Sequence, residues 1–388
     1  MKNGKRLSIA AALLVWLGAW DSGRAQSLDD LNLQVHVFAT QSLIYTTANN
    51  WNTTNSSAAS PAWTEAVVNL TAQPSPRVRI GVQARYFLLG TLGTAITLDW
   101  AMADLKLNER FGIRAGKVKT PMGLLNEAQD IDPAQQWILL PQSVYAITSR
   151  NATLSHNGGV VYGTTSLGER LGKLDYRAYG GQRQIGSEDG TFQPLRDEGI
   201  TVPNGTTGPT YGATARWHTP LPGLMVGASG ASEQTGGALS TTYLSGTIQS
   251  AHFYHPYFFG QLERGKVMVA GEYTRLSAHT TVAFTGIPVI PDREDWREFY
   301  VMSSYKLSSK LAAGVYYSSA NDHSQVASAA KYQRDWALSA RYDFDPFVYV
   351  KLEEHLMDGT LIGYSALNNT GGLAPNTRMT MLKLGVSF

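Results

Sequence analysis

The sequence predicts an all-β protein: a transmembrane antiparallel β-barrel of about 16 strands, with a long third loop folded into its lumen. Three observations lead there. An apolar leader opens the chain, segments of alternating polarity recur along it, and short and long connections alternate strictly between them. The first marks an exported protein, the second a wall with one apolar and one polar face, and the third a barrel with two unlike rims.

The leader has Lys2, Lys5 and Arg6, then an apolar run from Leu7 to Trp20, then Gly23-Arg24-Ala25. That is the pattern of a secretory signal peptide, residues 1–25, with a cut expected after Ala25. Its core is shorter than the roughly 20 residues a spanning helix needs, and no other stretch reaches 18 apolar residues. Residues 26–388 are then expected to form a single barrel domain, exported to the bacterial outer membrane. Without Lys2, Lys5, Arg6, Arg24 and Asp21, 28 basic and 29 acidic residues remain. No basic field is left to recruit nucleic acid. With 0 cysteines, disulfide frameworks, thiolate metal sites and a cysteine nucleophile are excluded. The charged fraction is 16%, below the roughly 25% of soluble domains, while 19 tyrosines and 9 tryptophans make the chain rich in amphipathic rings.

Strand-like alternation is read near 31–45, 61–73, 77–88, 94–106, 110–118, 157–165, 171–182 and 209–219. It continues near 223–233, 248–263, 266–277, 293–307, 311–320, 331–343, 347–358 and 378–388. Segments of this length can cross hydrocarbon as tilted strands, which takes roughly 9–11 residues. Within Asp335–Asp343 the even positions, Trp336, Leu338 and Ala340, are apolar and should face lipid. At the end of the chain Leu382, Leu384, Val386 and Phe388 share one face. Aromatics gather at strand ends and should form two girdles, with some packing instead inside the barrel or between subunits: Tyr254, Tyr257, Phe258 and Phe259; Trp296, Phe299 and Tyr300; Phe344, Phe347 and Tyr349.

Turn-rich links such as Gln73-Pro74-Ser75-Pro76, Arg264-Gly265 and Phe344-Asp345-Pro346 alternate with long ones near 46–60, 183–208, 234–247, 278–292 and 359–377. Short periplasmic turns and longer external loops give this sorting, and an even strand count puts both ends of the barrel domain on the short-turn side. One connection stands apart. Residues 117–156 have no period of their own and far exceed the usual 2–6 residue link. Trp137, Ile138, Leu139, Leu140, Val144, Tyr145 and Ile147 make this segment too apolar to stay solvated. It should fold into the bore and narrow it, with Trp137 to Leu140 and Tyr145 anchoring it to the wall or to a neighbouring subunit.

About 16 strands enclose a water-filled interior, so selectivity falls to the charges that line it. Arg77, Arg79 and Arg85 share one face of a strand; Arg110 and Arg114 share the inward face of the strand entering the loop; Lys173 and Arg177 do so later. These form a candidate basic ladder. The alternative is that lumen charges pair with Asp99, Asp104, Asp175, Glu272, Glu298, Asp335 and Glu353 and stiffen the wall. The loop itself has Lys117, Lys119 and Arg150 at its ends and Glu127, Asp130 and Asp132 in its middle, which would set a transverse field favouring small polar solutes.

The stretch from Gly112 to Glu127, GIRAGKVKTPMGLLNE, resembles the phosphate-selective porin O/P-like family, whose members run a basic strand end into a Lys-Thr-Pro-aromatic-Gly turn. Met122 stands where the aromatic is usual. The resemblance implies a trimeric 16-stranded barrel that passes anions or other small solutes, with the third loop as constriction and Arg114, Lys117 and Lys119 as its basic entry. The loop interior has acids and no further lysine before Arg150, which favours an anion-tolerant general porin over a phosphate-specific one.

Other chemistry finds no support in the sequence. There is no Gly-x-Ser-x-Gly elbow, P-loop or dinucleotide fingerprint, and the histidines are scattered. No catalytic residue, metal site or cofactor is expected, and the protein is read as non-enzymatic. The expected partners are small polar or anionic solutes, outer-membrane lipid and two further copies of the chain. Two other readings remain open: a structural or adhesive outer-membrane barrel, and an outer-membrane hydrolase.

Overall fold

The computed structural model describes residues 31–93 and 96–388, so the expected signal peptide lies outside the described residues. The strands are β1 Gln34–Thr46, β2 Ser60–Ser75, β3 Val78–Leu89, β4 Ile96–Asn108, β5 Phe111–Lys119, β6 Ser155–Ser166, β7 Lys173–Ile185, β8 Thr206–His218 and β9 Leu224–Glu233. They continue with β10 Gly236–Ser240, β11 Ser245–Ser250, β12 Phe253–Arg264, β13 Val267–Phe284, β14 Ile290–Lys306, β15 Leu311–Asp322, β16 Tyr332–Asp343, β17 Val348–Gly359 and β18 Asn376–Ser387. Each wall strand pairs antiparallel with its neighbours, and β1 pairs with β18 to close the ring. Closure leaves no unpaired edge in the wall. Strands β10 and β11 form a hairpin that prolongs β9 and β12 above the wall, so the barrel proper has sixteen staves.

Every expected strand has its counterpart, but two expected long loops are largely ladder. The 234–247 region folds as the β10–β11 hairpin, and β13 and β14 stay paired out to Val282 and Ile290, leaving only 285–289 as the turn. His279-Thr280-Thr281-Val282 explains the overrun: β-branched residues favour the extended ladder even where no membrane remains to cross.

The faces follow the period of two. In β16, Trp336 and Leu338 are exposed while Asp335, Ala337 and Ser339 are buried; in β18, Leu382 and Leu384 are exposed while Met381 and Lys383 are buried. The same rule divides the aromatics between the two faces. Tyr254, Phe258, Phe299, Phe344 and Phe347 stand on the exposed face, whereas Tyr257, Phe259, Tyr300 and Tyr349 are buried on the other. Adjacent rings in a strand must point to opposite sides, so a run of aromatics cannot all serve one girdle. Phe388 lies on the short-turn side with its ring stacked on Phe347 at 5.8 Å and its backbone paired with Val37.

Val82 sits in β3 on the apolar face, opposite Leu70 and Ala101. Val82→Arg should cost about 2–4 kcal/mol near the bilayer midplane. The check is the yield of heat-modifiable barrel on folding into lipid, which should drop sharply. A normal yield would show that Val82 does not face lipid.

Candidate functional site

The segment between β5 and β6 begins and ends at one neck. The Thr120 N–H donates to the Leu154 carbonyl at 2.9 Å, and the Asn126 amide donates to the carbonyls of Thr120 (2.9 Å) and Thr153 (3.0 Å). From this neck the chain is attached at several places to the polar face of the wall, three of which fix its path.

The first is to β9 and β13. The Gly123 N–H donates to Ser229 Oγ at 2.8 Å, the Leu124 N–H to Glu272 at 3.0 Å, and the Tyr145 hydroxyl to the same carboxylate at 2.6 Å. Gly123 has φ +64°, and a Cβ there would collide with Glu272 and Tyr145, so this turn requires glycine. The second attachment is to β15–β18. Asp132 accepts from Lys383 Nζ (2.7 Å), Lys351 Nζ (3.1 Å) and the Tyr349 hydroxyl (2.7 Å). Glu353 accepts from the Ile138 N–H at 2.6 Å and the Leu139 N–H at 3.1 Å, and Trp137 meets Tyr316 edge-on at 5.1 Å. Arg341 donates to the carbonyls of Pro133 (2.6 Å) and Gln135 (2.7 Å). The third is a bidentate pair in which Arg150 donates to Asp99 at 3.0 and 2.8 Å. Trp137, Ile138, Leu139 and Tyr145 are all buried, as expected of anchors.

The basic residues divide into paired and exposed. Arg85 is buried, pairs with Glu65 and lies over the Phe87 ring at 3.8 Å, so it is not a free rung of a ladder. Arg77, Arg79, Arg110 and Lys173 are exposed: Arg79 stands opposite Asp104, and the other three lie at the short-turn rim. Arg114 pairs with Asp104 at 2.9 Å and approaches Glu127 at 3.7 Å. Arg177 donates to Glu127, and Arg216 comes within 3.7 Å of it. Three guanidinium groups from β5, β7 and β8 thus converge on one loop carboxylate. Lys119 donates to Asp130 at 2.7 Å, and Asp130 also accepts from Gln83 (2.9 Å) and the Trp100 indole (3.2 Å).

Lys117 falls on a different face. Alternation along β5 puts it with Ile113 and Ala115, paired with Ala101 and Asn157, while Arg114 points the other way. Its Nζ reaches the Leu98 carbonyl. Sequence reasoning missed Arg216, Lys351, Lys383 and Arg341. Each stands in the polar phase of its strand, for example Lys383 between Leu382 and Leu384, so the period was a usable signal for the face though not for the partner. The pairing alternative holds for several acids: Asp99 with Arg150, Asp104 with Arg114, Asp175 with His218 and Asp335 with His355.

No protein-family model matches the chain, and no curated protein matches it. Solved structures do match. OmpF of Salmonella typhi, in complex with daunomycin, is similar at TM-score 0.57 and 12% identity, with 94% of this chain and 99% of that one covered. The anion-selective porin from Comamonas acidovorans is similar at TM-score 0.55 and 9% identity, with 92% and 99% covered. OmpT, an outer membrane protein of Vibrio cholerae, is similar at TM-score 0.56 and 12% identity, with 94% and 99% covered. At such identities the likeness is one of fold: the chain shares with these outer-membrane proteins a closed antiparallel barrel.

Proposed function

We propose that this protein is an outer-membrane porin, a water-filled channel for passive diffusion of small polar solutes and anions, and more finely an anion-tolerant homotrimeric pore that also admits phosphate. The observation that carries the reading is the 120–154 segment. From one neck it is tied to Glu272 of β13 through the Leu124 N–H and the Tyr145 hydroxyl, and to Gln83 of β3 through Asp130, always through polar-face side chains. β3 and β13 are the third and eleventh of the sixteen staves, so a segment tied to both would lie across the bore and narrow it. On this reading, Arg114, Arg177 and Arg216 present a net positive wall to passing solutes, with Arg79 and the rim residues Arg77, Arg110 and Lys173 below it. Lys119, Glu127, Asp130, Asp132 and Arg150 hold and charge the constriction. The fold shared with an anion-selective porin supports the same reading.

The test is single-channel conductance in a planar bilayer under a salt gradient, followed by addition of phosphate. Stable open steps grouped in threes and an anion-directed reversal potential are expected. A correctly folded barrel that carries no current would end the channel reading and favour an adhesive or enzymatic barrel.

A further inference from the structure

In the ring of sixteen, the connection β7–β8 follows the seventh stave and the connection β17–β18 follows the fifteenth, so the two stand diametrically opposed at the long-loop mouth. They nevertheless touch. The Asp197 carboxylate, on the 186–205 connection, accepts from Ser365 Oγ at 2.9 Å and from the Ala366 N–H at 2.6 Å, both on the 360–375 connection.

Neither half hangs free. In 186–205, Asp189 accepts from the Thr191 N–H, and Arg196 donates to the carbonyls of Ser187 (3.1 Å) and Asp189 (2.9 Å). Phe192 and Val202 bury against Leu239 of the β10–β11 hairpin, with Val282 and Phe284 of the overrunning end of β13 packed alongside. This explains why the ladder continues above the membrane: it is the abutment on which the connection rests. On the far side, 360–375 is laced to the β1–β2 connection. The Asn49 amide donates to the Ala374 carbonyl at 2.7 Å, the Asn50 amide to the Asn368 carbonyl at 2.9 Å, and the Asn52 N–H to the Gly363 carbonyl at 2.6 Å. Two well-braced halves therefore meet at a joint whose described hydrogen bonds all run to one carboxylate.

We propose that Asp197 is a specificity-determining residue of the channel: by joining the two connections it holds a strap across the mouth, which divides the entrance and sets an upper size limit on solutes before they reach the 120–154 segment. The inference rests on the channel reading above. A carboxylate at a solvent-reached joint exchanges its bonds with water easily, so this joint is the point at which the strap parts.

The chain has 0 cysteines, which permits a clean test. Asp197→Ala and the pair Asp197→Cys with Ser365→Cys are reconstituted into liposomes, and swelling is followed with sugars of increasing size; Glu198→Ala serves as a neighbouring charge control. Loss of size discrimination is expected in Asp197→Ala and in the reduced cysteine pair, with discrimination restored on oxidation and unaltered in Glu198→Ala. Wild-type swelling profiles for Asp197→Ala and for the reduced pair would overturn the strap. Failure of the wild-type protein to admit even the smallest sugar would instead strike the channel reading, so the two failures are distinguishable.

Discussion

Asp132→Asn should release the 132–140 part of the loop and raise single-channel conductance. The substitution keeps the shape of the side chain but leaves Lys351 and Lys383, both essentially fully buried, without the carboxylate that lies 3.1 and 2.7 Å from them. Removing one partner of a buried ion pair costs about 3–5 kcal/mol, because the remaining charge is stranded. At 1.4 kcal/mol per tenfold change, that lowers the equilibrium constant for attachment by about two to four orders of magnitude. Conductance in a planar bilayer and the melting temperature of the barrel in detergent should move in opposite directions, up and down. Unchanged conductance would mean that Glu353 and Arg341 hold the segment by themselves. The same carboxylate sets the pH response of this one attachment. Burial alone would raise its pKa, but Lys351 and Lys383 outweigh burial and hold it below the usual carboxylate range. A group whose folded pKa is depressed adds stability above its unfolded value, about 4, and loses it only as the pH falls through the folded one. The stability difference between the wild type and Asp132→Asn, read from their melting temperatures, should therefore stay level from neutral pH down to about 4.

Glu127→Gln should produce the largest change in ion preference. Glu127 is the shared partner of Arg114, Arg177 and Arg216. Neutralising it leaves three guanidinium groups facing one another with Asp104 as the remaining close acid on Arg114. One unit charge about 4 Å from a passing ion is worth about 1 kcal/mol in bulk water and about 4 at an effective dielectric of 20. The anion-to-cation permeability ratio, read from the reversal potential in a salt gradient, should rise at least several-fold and the rise should shrink as salt is added. Glu127→Asp should keep the wild-type ratio. An unaltered reversal potential in Glu127→Gln would remove this cluster from the path of the ions.

The wall was legible because its code is local. Alternation over a dozen residues says that Leu382 and Leu384 face one way and Lys383 the other, whatever the rest of the chain does. Turn residues such as Gly265 in the β12–β13 link, with φ +62°, mark where a strand must reverse. The anchoring role of Trp137 and Tyr145 was also legible, since so apolar a run cannot remain in water. The β13–β14 ladder runs further than the sequence suggests because Thr280 and Thr281 suit a solvated ladder as well as a loop.

By itself, then, the sequence determined the all-β class, sixteen staves, the orientation of each stave's two faces and the existence of one long ordered insertion. Only the tertiary structure decided which charges meet. Arg85 finds Glu65 20 positions away, Arg150 finds Asp99 at 51, and Lys383 finds Asp132 at 251. Period tells a residue which side of the sheet it occupies, but its height and its position around the ring depend on register, on closure and on the path of the insertion. Those are set by the whole barrel at once, and with them the difference between an arginine that pairs within the wall, as Arg85 does, and one that meets the loop, as Arg177 does.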